Sequence, residues 1–139
     1  MNQSKINQNF LGAYIKLDRT CSEKFGGRYG VTEYINKLTD ARFVIGRKEV
    51  LPLLAKYRKI RNKLAHEPDA LEKLDTVSRD DIKWLEKFER RVAKGRDPLS
   101  KYLKRTSAVE RHKALLRTLS LAVAAAVAVI AIVLIFKAF

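Results

Sequence analysis

Residues 47–66 read RKEVLPLLAKYRKIRNKLAH. Val50, Leu53, Leu54 and Tyr57 repeat at the i, i+3, i+4, i+7 spacing, and Ile60 and Leu64 carry it on. That period predicts an amphipathic helix with one apolar face. Pro52 suggests that the true first turn lies close to it, because proline lacks the amide that a helix interior needs. Pro68 disfavours helical geometry at Glu67, so the helix is expected to stop at His66.

The same period runs outward from this segment. Ile6, Phe10, Tyr14, Leu17, Cys21 and Phe25 predict a first helix over about 4–25, closed by the GGRYG loop at 26–30. Val31, Tyr34, Ile35 and Leu38 predict a second helix over about 31–41, followed by an irregular ARFVIG segment at 41–46. After a loop from Glu67 to about Val77, Ser78 with Asp81 three residues on reads as a capping box. It opens a helix with Ile82, Leu85, Phe88 and Val92 inward. Gly95, Asp97 and Pro98 break that helix, a short one follows over about 98–105, and a last one begins near 108. No stretch alternates long enough to build a sheet. The expected fold class is all-α: a small antiparallel bundle of four to five helices over 1–105.

Residues 119–136, LSLAVAAAVAVIAIVLIF, carry no charge. Eighteen helical residues span about 27 Å, close to the ~30 Å of a hydrocarbon core. Arg117 and Lys137 bracket the run. The expectation is one transmembrane helix at 119–136 with a short tail to 139, behind a basic juxtamembrane segment at 106–118. MNQSKINQNF at the start has no apolar core and does not read as a signal peptide. Three residues follow the span, so the expectation is a single-pass C-terminal anchor with the working domain in front of it. Lys101, Lys104, Arg105, Arg111, Lys113 and Arg117 before the span put the N-terminal domain in the cytoplasm by the positive-inside rule. Small-residue pairs four apart, Ala122/Ala126 and Ala124/Ala128, suit the packing of two anchors.

The chain has 29 Lys and Arg against 15 Asp and Glu, a formal charge of +14. Such a balance points to anionic partners, whether nucleic acid or a lipid surface. The single cysteine, Cys21, excludes an intrachain disulfide and falls on the apolar stripe of the first helix. No Cys/His cluster has metal-ligand spacing and no glycine-rich phosphate loop is present, so neither a metal nor another cofactor is expected.

Three polar residues interrupt the bland picture of the 47–66 helix. Asn62 and His66 are four apart and share a face. Arg61 lies about 100° round, at the margin of the apolar stripe. A purely structural reading has Arg61 paired with Glu67 or Asp69, and Asn62 and His66 capping the last carbonyls.

Arg61-Asn62 followed by His66 at a helix end, within RNKLAHEP, resembles the HEPN superfamily. The likeness covers about 3–105, with the sharp matches in 57–69. It implies metal-independent RNA cleavage in a homodimer, with Arg61, Asn62 and His66 as the catalytic set. His66 would be the general acid/base for 2′-OH attack on the adjacent phosphate, Arg61 would stabilise transition-state charge, and Asn62 would orient the phosphate or His66. Tyr57, Arg58 and Lys63 are the candidate RNA contacts beside the set. The implied role is a membrane-tethered ribonuclease acting as a toxin or defence effector, with an antitoxin or other partner protein. The alternative is a non-catalytic membrane adaptor that binds a protein or nucleotide.

Overall fold

The structure, a computed structural model, describes residues 2–67 and 69–138. Pro68, read above as a helix terminator, the tail residue Phe139 and the side chain of Lys137 lie outside the described set. The protein is all-α, and no strand occurs among the described residues. The helices are α1 (Gln3–Phe25), α2 (Gly30–Asp40), α3 (Arg47–His66), α4 (Ala70–Lys73), α5 (Arg79–Ala93) and α6 (Pro98–Ala138).

The first compact unit is Met1–Tyr102. Its centre is α1, which packs against α2, α3, α4 and α5. Phe10, Tyr14, Leu17 and Cys21 are buried along it, as the stripe requires. Aromatic rings join the helices in sequence. Phe10 meets Tyr57 edge-on at 5.7 Å, and Tyr57 meets Trp84 at 5.3 Å. Trp84 stacks on Phe88 at 4.9 Å, and Phe88 meets Tyr34 at 5.6 Å. Contacts of this kind add to the stabilisation that area burial gives. At the N-terminus of α5 the capping box is present, with Ser78 and Asp81 bonded reciprocally.

Three local expectations are corrected. Pro52 is interior to α3, which starts five residues earlier at Arg47. Pro52 and Lys48 are both exposed, so the carbonyl that loses its amide partner faces solvent. The 67–77 loop contains the one-turn helix α4. Its cause is tertiary: the buried Asn7 amide on α1 donates to the carbonyls of Leu71 at 2.9 Å and Leu74 at 2.8 Å. Finally, the expected break between a short helix and a last one near 108 is absent, and α6 is continuous. Thr106 and Ser107 donate to the carbonyls of Leu103 and Lys104 within the helix rather than capping a new one. Asp97 caps the start of α6, accepting from Ser100 N at 3.0 Å and from the Tyr34 hydroxyl at 2.8 Å.

The second unit is Leu103–Phe139. From Leu119 to Ile135 its side chains are exposed. This helix is long and apolar enough to cross a membrane.

Candidate functional site

The C-terminal half of α3 forms one wall of a cleft of about 490 Å³. Arg58, Arg61, Asn62 and His66 all line it. They occupy successive turns of one helix side, and the helix stops at His66 because Glu67 turns to extended geometry (φ −92°, ψ 128°). Arg61 and Arg58 are partly buried, whereas Asn62 and His66 are exposed. Arg61 Nη1 donates to Asn62 Oδ1 at 3.3 Å. The alternative pairing of Arg61 with Glu67 or Asp69 does not occur: Asp69 binds Lys73 at 3.0 Å, and among the described residues no carboxylate forms an ion pair with Arg61 or His66.

The opposite wall comes from residues that sequence reasoning did not select. Helix α1 supplies Tyr14, Ile15 and Asp18. The turn after it supplies Arg28 and Tyr29, and α2 adds Thr32. GGRYG reads only as a helix stop, but the fold makes it part of a cleft. Gly26 and Gly27 take φ 81° and 83°, which glycine tolerates without strain. Gly30 lies so close to α1 that a Cβ there would collide with the Asp18 carbonyl oxygen and the Ser22 amide nitrogen. Asp18 Oδ1 accepts from Val31 N at 2.8 Å and fixes the turn from the other side.

The electrostatics favour an anion. Three guanidinium groups, from Arg28, Arg58 and Arg61, face a single carboxylate, Asp18, one oxygen of which is already bonded to backbone. Burial, and next the Asp18 charge, push the Tyr14 phenol upward, while Arg61 and Arg58 pull it down. That opposition marks a cluster of charges within short range. Guanidinium forks match phosphate oxygens two at a time. The His66 imidazole, whose ring nitrogens can donate or accept a hydrogen bond, lines the same cleft.

Two expected contacts fall elsewhere. Tyr57 is 2% exposed, and its hydroxyl donates to Asp81 Oδ1 at 2.9 Å. Lys63 lines a separate groove of about 500 Å³ together with Lys56 and Lys59. Neither residue lines the Arg61–His66 cleft. Cys21 is buried, and burial, then the charges of Asp97, Asp18 and Glu89, push its thiol upward, as suits a residue of the core.

A family model described as a family of unknown function, DUF6548, matches residues 8–120. No curated protein and no solved structure matches the chain.

Proposed function

We propose that this chain, which belongs to the DUF6548 family, is a membrane-tethered HEPN-like ribonuclease that cleaves RNA without a metal. The observation that carries the reading is that Arg61, Asn62 and His66 line one solvent-reachable cleft in which guanidinium groups outnumber carboxylates three to one. The chemistry follows from those groups. An imidazole takes the proton of a ribose 2′-OH, which attacks the adjacent phosphorus. The bond from phosphorus to the 5′ oxygen breaks, and that oxygen receives a proton. The products are a 2′,3′-cyclic phosphate and a 5′-OH end. Proton transfer of this kind contributes about 10²–10⁴-fold. Arg61, already oriented by Asn62, holds the phosphorane oxygens as their charge grows. Dependence on the 2′-OH restricts the reaction to RNA. Two copies of the chain pair their clefts into one composite site. The domain lies on the cytoplasmic face, the side favoured by the basic residues before the apolar helix, where it acts as a toxin or defence effector under the control of a partner protein.

The test uses the full chain in nanodiscs with EDTA present. A labelled single-stranded RNA should be cut to cyclic-phosphate products by the wild type and left whole by His66→Ala. RNA left intact by the wild type would remove the reading.

A second reading, a non-catalytic adaptor, is favoured by the loop between α2 and α3. Phe43 is 96% exposed there at φ 57°, and Ile45 is 76% exposed. Apolar side chains displayed in this way commonly serve an interface. In that case Phe43→Ser and Ile45→Ser would abolish recruitment of the partner, and no cleavage product would form.

A further inference from the structure

The wall of the cleft opposite Arg61 carries a feature that phosphate chemistry leaves unused. Tyr29 is 59% exposed at the mouth of the cleft. The Arg28 guanidinium lies 5.7 Å from the centroid of its ring. Ile15 on α1, 53% exposed, adds apolar surface to the same wall. A large aromatic side chain displayed in a cleft that three arginines line is well suited to a planar ligand. Its backbone is fixed: Glu33 N donates to the Tyr29 carbonyl at 2.9 Å, Asp18 holds Val31, and Gly30 is pressed against α1.

We infer that Tyr29 is a stacking platform for one unpaired base of the RNA, and that it selects single strands for this cleft. This rests on the reading of the cleft as an RNA site. One face of the ring carries Arg28 as a cation–π partner, and the other receives the base. Arg58 and Arg61, on the facing wall, take the phosphates on either side of that nucleotide. A duplex cannot present its bases this way, because they are already stacked on one another. Stacking also discriminates little among the four bases, so the expected preference is for single-strandedness over sequence. The platform needs little ordering on binding, because the turn that holds it is tied at both ends.

The experiment combines a protein change with a ligand change. Full chains carrying His66→Ala, which keeps the RNA whole, are held in nanodiscs with Tyr29 or with Tyr29→Ala. Each is titrated with a labelled single-stranded RNA and with versions bearing one abasic nucleotide at successive positions. At one position, loss of the base should weaken binding about 10-fold when Tyr29 is present and leave it unchanged in Tyr29→Ala. Tyr29→Trp should keep the effect, which separates stacking from simple misfolding. Equal weakening in both proteins at every position would overturn the inference. So would a Tyr29→Ala chain that loses dimer mass in sedimentation without any dependence on the base, since Tyr29 would then be a subunit contact. Failure of the enzymatic reading looks different: the cycle shows coupling, but the wild type cuts nothing.

Discussion

The hydroxyl of Tyr57 on α3 donates to Asp81 Oδ1 on α5 at 2.9 Å. This bond ties α3 to α5 one turn before Arg61. It places Tyr57 in the scaffold of the cleft and not on its surface. Removal of the hydroxyl in Tyr57→Phe leaves the ring contacts with Phe10 and Trp84 in place. The loss should be about 1 kcal/mol, and up to about 3 because the acceptor is charged. Denaturant unfolding of the full chain in detergent measures it. RNA affinity should match the wild type, and a large drop in affinity would put Tyr57 back at the substrate.

Asp81 is the centre of that contact. Burial would raise its carboxyl, but bonds from Ser78 N, Ser78 Oγ, Lys56 and Tyr57 outweigh it and hold the group below the ordinary carboxylate range. A carboxylate lowered by folding contributes stability above its unfolded pKa of about 3.9, and the contribution fades as pH falls through the folded value. Melting temperature should therefore decline below about pH 4. In Asp81→Asn the protein should be less stable at neutral pH and its acid limb shallower. An unchanged acid limb would mean that other carboxylates control it.

Gly30→Ala tests the cleft wall. The added Cβ meets the Asp18 carbonyl oxygen and Ser22 backbone, neither of which can rotate away. Overpacking costs about 1–3 kcal/mol, and a collision with backbone belongs at the upper end. The change should lower the melting temperature, and it should weaken RNA binding by displacing Arg28 and Tyr29. Gly12→Ala is the control, since a Cβ there meets nothing within 4 Å.

Arg61→Ala and Arg61→Lys separate charge from shape. Lysine keeps the positive charge but lacks the planar fork. On the proposed ribonuclease reading Arg61 is a transition-state donor, whose loss costs about 10²–10³-fold, and the alanine variant should fall by that amount in kcat/KM for RNA cleavage in EDTA. The lysine variant should recover only a small part. Full recovery would show that Arg61 acts as a distant charge without gripping phosphate.

The helices were legible in the sequence because their signals are local. The 3.6-residue period marks α1, α2, α3 and α5, and the Ser78–Asp81 box marks where α5 starts. The uncharged run at 119–136 needed only composition. Asn62 and His66 could be placed on one face of α3 from their spacing alone. Continuity of α6 was harder to read, because Thr106 and Ser107 look like cap residues and only their hydrogen bonds show that they are not.

The cleft itself is a tertiary product. Tyr14, Asp18, Arg28 and Tyr29 lie more than 28 positions from Arg61, and no periodicity links them to it. They meet because Gly30 has no Cβ, which lets the turn close onto α1, and because α1 packs against α3. Asn7 reads as an ordinary polar residue at a helix start, yet it organises α4 from inside the core. By itself the sequence determined a basic helical domain, an apolar helix and a triad of polar residues at one helix end. Only the tertiary structure decided which charges face that triad, because charge pairing depends on distance through space and not on separation along the chain.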